Sequence, residues 1–287
     1  MPKPAYDLFR PNIRSTSVIF ASPHSGREYS ASFLRRSILD ERTIRSSEDA
    51  FVDILFGGVP EYGAPLLTAR APRAYLDLNR APDELDPAVV YGVRSAAHNP
   101  RVSSGLGVIP RVVANGRAIY RGKLRQTDVE TRIRGYWRPY HETLTSLIDE
   151  SLGQFSEAIL IDCHSMPHEA IENISHPHGH LPDIVLGDRF GAAAAPEIME
   201  RVESVFLAAG LNVVRNAPFA GAYMAQHYGR PSRGQHVIQI EIDRALYMDE
   251  TTIKPNSNFK AFKALLDGVI RDIADIGRVD GRALAAE

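Results

Sequence analysis

Two apolar runs constrain this chain more than any other feature, because each ends in a histidine. Val18-Ile19-Phe20-Ala21 leads into Ser22-Pro23-His24-Ser25-Gly26, and Ala158-Ile159-Leu160-Ile161 leads into Asp162-Cys163-His164-Ser165. Short apolar runs bounded by turn residues read as buried strands. A strand buried on both faces belongs to a sheet covered by helices, and the carboxyl ends of such strands are where open α/β sheets bind ligands. Two imidazoles delivered to that edge suggest a metal ion, because neutral imidazole is the commonest metal ligand.

The rest of the chain alternates in the same manner. Strands are expected near 16–22, 65–69, 74–78, 158–163, 183–187, 211–215 and 236–242. Helical periodicity covers Ser47–Tyr62, weakened by Gly57, Gly58 and Pro60. A longer helix is expected from Thr127, where Thr127 and Glu130 have capping-box spacing. Its stripe runs Ile133, Tyr136, Trp137, Tyr140, Leu144, Leu147 and Ile148, and Pro139 should kink it by removing one hydrogen bond. Residues 196–209 and 257–276 complete the helical set, the last with Phe259, Phe262, Leu266, Val269 and Ile273 on one face. Interleaved strands and helices imply one α/β domain over residues 1–287, with a largely parallel or mixed sheet and helices on both faces. The stretch from Ala81 to Gly107 is rich in Pro, Asp, Ala and Ser and lacks periodicity; it is expected to form a lid or rim.

Composition narrows the function classes. Net charge is −2, from 33 basic and 35 acidic residues, which leaves no electrostatic footprint for nucleic acid or an anionic membrane. No apolar run approaches a membrane span. A single cysteine and the lack of an apolar signal-type segment near Met1 favour a cytoplasmic location.

Several polar groups join the two histidines as candidates. Catalytic zinc typically takes three protein ligands and keeps one position for water, so a carboxylate is wanted, and Glu48, Asp49 and Glu28 all qualify. Acidic residues in a first helical turn also serve the helix dipole, so Glu48 and Asp49 have an ordinary reading as well. Within Arg70–Arg80, alternation places Tyr75, Asp77 and Asn79 together, and Asn79-Arg80 suits a substrate carboxylate, with Asp77 orienting an arginine. Glu241 ends another apolar run beside Gln239 and suits proton transfer. The loop-like segments Asn216–Tyr223 and His227–Pro231 offer substrate contacts through Tyr223 and Arg230, while His176, His178 and His180 read as a surface tract.

Taken in order, Ser22-Pro23-His24-Ser25-Gly26, Asp77-Leu78-Asn79-Arg80, Val108-Ile109-Pro110-Arg111, Trp137-Arg138-Pro139-Tyr140-His141, Asp162-Cys163-His164-Ser165, Pro182–Gly187, His227–Pro231 and Gln239-Ile240-Glu241 resemble the N-formylglutamate amidohydrolase family, over roughly Val18 to Glu250. The resemblance implies a fold similar to the zinc carboxypeptidases and aspartoacylase, a mixed twisted sheet of about eight strands between helices. It implies His24 and His164 as metal ligands and Glu241 as the base. The family's acidic ligand, at the start of the next helix, aligns best with Asp49; the carboxypeptidase position three residues after His24 is Arg27 here. Asn79-Arg80 match the carboxylate clamp and Arg73 an upstream substrate arginine, and Arg111 or Arg73 is the expected oxyanion stabiliser.

The expected activity is metal-dependent hydrolysis of an N-acyl acidic amino acid, foremost N-formyl-L-glutamate, with Zn²⁺ ahead of Co²⁺ or Mn²⁺. A related metallo-deacylase or carboxypeptidase acting on another N-acyl amino acid or small peptide is the alternative. A non-catalytic small-acid-binding protein is the second. Each implies a small-molecule partner, not nucleic acid or membrane.

Overall fold

The computed structural model describes residues 4–94, 99–172 and 180–278. Seven strands form one mixed sheet: β1 (Tyr6–Phe9), β2 (Val18–Ser22), β3 (Leu66–Ala69), β4 (Ala158–Met166), β5 (Ile184–Gly187), β6 (Val213–Arg215) and β7 (Gln235–Asp243). Their order across the sheet is β1-β3-β2-β4-β7-β5-β6. The core β3-β2-β4-β7 is parallel, whereas β1 and β5 run antiparallel to β3 and β7. β2 and β4 are buried along their whole length, as continuous apolar runs in a doubly covered parallel sheet should be.

Side-chain alternation sorts the sheet into two faces. Val18, Phe20, Ile159, Ile161, Ile238 and Ile240 pack under α6 (Pro196–Ala208) and α8 (Phe259–Ile276). Ile19, Ala21, Leu160 and Val237 pack under α5 (Arg138–Phe155) and α7 (Tyr223–Tyr228). Asp162 and His164 share the parity of Leu160, and Gln239 and Glu241 that of Val237, so these polar groups emerge on the α5–α7 face. The long parallel register of β4 with β7 pairs His164 directly with Glu241.

The expected mixed α/β architecture is present, with seven strands in the sheet rather than eight and a separate hairpin, Met248–Asp249 with Lys254–Pro255. β1, whose sequence carries no apolar run, was not anticipated; it is an edge strand with half-exposed residues. The expected strand at 74–78 does not form. Ala74, Leu76 and Leu78 are buried as alternation requires, but the Asp77 backbone N–H donates to the Val108 carbonyl (2.9 Å) in a loop instead of a ladder.

The expected helix over Ser47–Tyr62 is two short pieces, α2 (Val52–Leu55) and a 3-10 turn, Val59–Tyr62. It starts late because the Asp49 N–H donates to the His24 carbonyl (3.1 Å) and Phe51 takes φ +67°, a left-handed conformation unusual for an aromatic residue. The next long helix begins as α4 (Gln126–Arg132) rather than at Thr127, and Asp128, not Glu130, reaches back to a backbone N–H, that of Arg125 (3.3 Å). Pro139 produces no sharp break: a widened π-helical turn at Ile133–Trp137 absorbs the missing hydrogen bond before α5. Among its described residues, the segment Ala81–Gly107 contains one short helix, α3 (Pro100–Ser103), and buries Val89 and Val90 in the α5-side core. Among the described residues, no helix is long and apolar enough to cross a membrane. His176 and His178 lie outside the described residues, and His180 is exposed.

Candidate active site

The carboxyl ends of β2, β4 and β7 open into a cavity of about 570 Å³. At its base the His24 and His164 rings lie 4.7 Å apart between centroids. The turn after His24 approaches the 70–73 segment so closely that a Cβ on Gly26 would fall 2.2 Å from the Ala71 carbonyl oxygen; this position tolerates only glycine.

The two imidazoles are held in the same way. His24 Nε2 donates to Asp77 Oδ1 (2.7 Å), and His164 Nε2 donates to Asp162 Oδ1 (2.8 Å). A carboxylate behind one ring nitrogen fixes the tautomer and turns the other nitrogen outward. Both Nδ1 atoms then face the same oxygen, Asp49 Oδ2, at 3.4 Å from His24 and 2.9 Å from His164. Asp49 Oδ1 accepts from Arg244 Nη2 (3.0 Å), and Arg244 Nε reaches Ser165 Oγ (3.1 Å). Burial opposes ionisation of Asp49, but the adjacent His164 and His24 overcome it and hold the carboxyl well below the usual range.

Among the described residues, His24, Asp49 and His164 are the group whose donor atoms, all within 4.8 Å of one another, suit a metal ion. All three are buried, and His24 Nδ1 has no hydrogen-bond partner. An unmet buried nitrogen costs about 1–3 kcal/mol, and a cation shared with Asp49 removes that cost. Two imidazoles and one carboxylate are a donor set suited to zinc and to several other divalent ions. The other acidic candidates are committed elsewhere. Glu48 is buried against Arg45 (2.9 and 3.0 Å), and Glu28 is 39% exposed beside Arg70 (3.7 Å).

Glu241 lies on the cavity wall, on the strand next to His164. Its Oε1 accepts from Gln239 Nε2 (2.9 Å), whose own oxygen accepts from the Ala222 N–H (3.1 Å). Burial pushes Glu241 up to about 7. A carboxyl poised near neutrality can take and return a proton at working pH.

The remaining expected residues divide. Arg73 and Arg80 line the cavity; Arg73 Nε is bonded to Asp77 Oδ2 (3.1 Å), and Arg80 uses Nε and Nη1 on the Leu106 and Asn79 carbonyls. Asn79 lines it too, but both ends of its amide are spent: Nδ2 donates to Asp162 Oδ2 (2.9 Å), and Oδ1 accepts from the Met224 N–H (2.7 Å). It positions the His164 pair instead of offering a free amide to a carboxylate. Arg111 is not at the site. Its Nε pairs with Asp86 (2.7 Å) and its Nη2 with the Ser103 carbonyl (3.2 Å), so the guanidinium braces α3. Tyr223 stacks on His227 and packs beside Trp137, and Arg230 holds the carbonyls of Gln226 and Gly229 at the end of α7; neither lines the cavity.

Sequence reasoning missed the roles of Asp162 and Arg244. Asp162 was legible, since it stands two residues before His164 and so on the same strand face. Arg244 was not, because its partner Asp49 lies 195 residues away. Also unassigned were Trp137 and His141, which clamp the turn at 78–80: Trp137 Nε1 donates to the Arg80 carbonyl (2.9 Å) and His141 Nε2 to the Leu78 carbonyl (2.9 Å).

A mixed α/β sheet that gathers two carboxylate-backed histidines, a shared aspartate and a buried glutamate at one strand edge has the make-up of a hydrolytic enzyme. The family model for N-formylglutamate amidohydrolase matches residues 16–248. The N-formylglutamate deformylases of Pseudomonas putida and Pseudomonas aeruginosa are each 30% identical, over 82% and 81% of this chain and 82% of their own length. The crystal structure of N-formylglutamate amidohydrolase from Ralstonia eutropha JMP134 superposes with a TM-score of 0.89 at 34% identity, covering 96% of this chain and 99% of that one. The chain belongs to the N-formylglutamate amidohydrolase family, and it is an amidohydrolase.

Proposed function

We propose that the protein hydrolyses N-formyl-L-glutamate to L-glutamate and formate with the help of a divalent cation, foremost Zn²⁺, held by His24, Asp49 and His164. The observation that carries this reading is the convergence of His24 Nδ1, His164 Nδ1 and Asp49 Oδ2 in a cavity also lined by Glu241 and by the guanidiniums of Arg73 and Arg80. The relatives named for the same deformylation support the choice of acyl group. Bound there, such an ion supplies Lewis acidity toward the formyl oxygen and acidifies water.

The chain's own residues do the rest. Glu241 accepts the proton of the attacking water at the carboxylate oxygen not committed to Gln239, then returns it to the departing amine nitrogen. Arg73, already oriented by Asp77, sits where negative charge develops on the formyl oxygen and stabilises it. Arg80 holds a substrate carboxylate and so fixes the amide relative to Glu241. Asn79 and Asp162 keep the His164 ring in register. Arg111, braced against Asp86, takes no part in the reaction.

The test is a substrate panel on protein purified without an affinity tag, with metal content measured in parallel. N-formyl-L-glutamate should exceed the N-acetyl and N-succinyl analogues and N-formyl-aspartate in kcat/KM, with about one divalent ion per chain. A tenfold preference for a non-formyl compound would replace the substrate assignment. Full turnover in metal-free protein would remove the cation from the reading.

A further inference from the structure

The cavity walls carry four guanidiniums, those of Arg73, Arg80, Arg101 and Arg244. Two are neutralised within the protein: Arg73 by Asp77 (3.1 Å) and Arg244 by Asp49 (3.0 Å). Among the described residues, neither Arg80 nor Arg101 has a carboxylate within 4 Å. The two lie close enough to act on one another. Burial, opposed by Asp77 and reinforced by the charges of Arg73 and Arg101, presses Arg80 below the usual arginine value. Two neighbouring cations facing one cavity repel each other unless anions join them.

The Arg101 backbone is held in place by its surroundings. It belongs to α3, and its backbone carbonyl accepts from the Leu106 N–H (2.9 Å), whose residue in turn gives its carbonyl to Arg80 Nε (2.8 Å). The Arg111 side chain grips the Ser103 carbonyl, and its backbone N–H donates to the Gly105 carbonyl (2.8 Å). The rim is therefore built so that an exposed arginine stays beside a buried one.

We propose that Arg101 is the specificity-determining residue of the site: it binds the second carboxylate of a dicarboxylic N-acyl amino acid while Arg80 holds the first. This inference rests on the reading that the cavity binds an N-acyl amino acid. It adds that the side-chain carboxylate is recognised at the rim, by Arg101. A substrate whose side chain is a neutral amide meets Arg80 but leaves Arg101 without an ionic partner.

The experiment compares wild type, R101Q and R101K on N-formyl-L-glutamate and N-formyl-L-glutamine. R101Q should lower the ratio of kcat/KM for glutamate over glutamine by about 10- to 100-fold, mainly through KM, as expected for one charge-assisted hydrogen-bonded pair. R101K should recover part of the ratio, since it keeps the charge but not the two-pronged geometry. Calorimetric binding of glutarate, which needs no turnover, should weaken by a similar factor in R101Q. An equal loss on both substrates, or unchanged glutarate affinity, overturns the assignment. Should wild type hydrolyse neither formyl compound, the proposed reaction falls, and the glutarate measurement still decides the role of Arg101.

Discussion

At the scale of single residues the site works by committing one atom of each side chain so that another is left directed. Asp77 and Asp162 each take an Nε2–H and leave Nδ1 facing inward; Arg244 takes Asp49 Oδ1 and leaves Oδ2; Gln239 takes Glu241 Oε1 and leaves the second oxygen. Glu241 tests this logic. Replacing it with glutamine keeps the shape and the Gln239 contact but removes the proton acceptor. kcat for E241Q should fall by about 10²–10⁴-fold while bound metal and KM are retained. Steady-state kinetics with metal analysis checks it; a kcat within a few fold of wild type would assign the base elsewhere. Glu241 itself was readable from the sequence, because strand parity puts it on a face with Gln239. Its raised proton affinity was not, since that comes from burial among partners on other strands.

At the scale of elements, the widened turn and α5 act as a support for the turn at 78–80. His141 and Trp137 stand one helical turn apart and hold the carbonyls on either side of Asn79. The ring must be neutral for this: Nε2–H donates to Leu78, and Nδ1 accepts from the Tyr228 hydroxyl (2.8 Å). Burial accordingly drives His141 down from 6.5 to about 3. The unfolded chain therefore binds a proton that the folded one refuses, and stability should be full above pH 6.5 and be lost as pH falls toward about 3. Against His141→Asn, which cannot titrate there, wild type should lose up to about 1.4 kcal/mol more per pH unit through that window. Urea unfolding at several pH values measures the difference. Parallel curves for the two proteins would show that His141 carries no such burden. Helical spacing made the α5 stripe legible in sequence, and Pro139 was legible as a disturbance. The form of that disturbance was not, because a helix can meet a missing hydrogen bond by kinking or by widening, and packing selects between them.

At the scale of the whole molecule, the metal-type cluster ties together segments distant in sequence: the ends of β2 and β4, and the turn before α2. A cation bound there stabilises the folded state alone. At a free concentration about a hundredfold above its Kd it adds roughly 2.7 kcal/mol, or about 4–5 °C in Tm for a domain of this size. Chelation should lower Tm by that amount and re-addition of Zn²⁺ should restore it, as read by scanning calorimetry. A Tm indifferent to both treatments would argue that no ion joins these segments. What the sequence determined by itself was periodic: that the runs ending at His24, His164 and Glu241 are buried strands, and which face each side chain takes, so that all three arrive at one edge of one sheet. Such patterns are written locally, in alternation and in turn residues. Only the tertiary structure set Asp49 rather than Glu48 beside the two histidines, through the left-handed Phe51 and the capture of Glu48 by Arg45. The same holds for the split between Arg73 and Arg80 at the cavity and Arg111 on the rim brace. Those choices depend on which partners lie close in space, and neighbours in sequence share no such information.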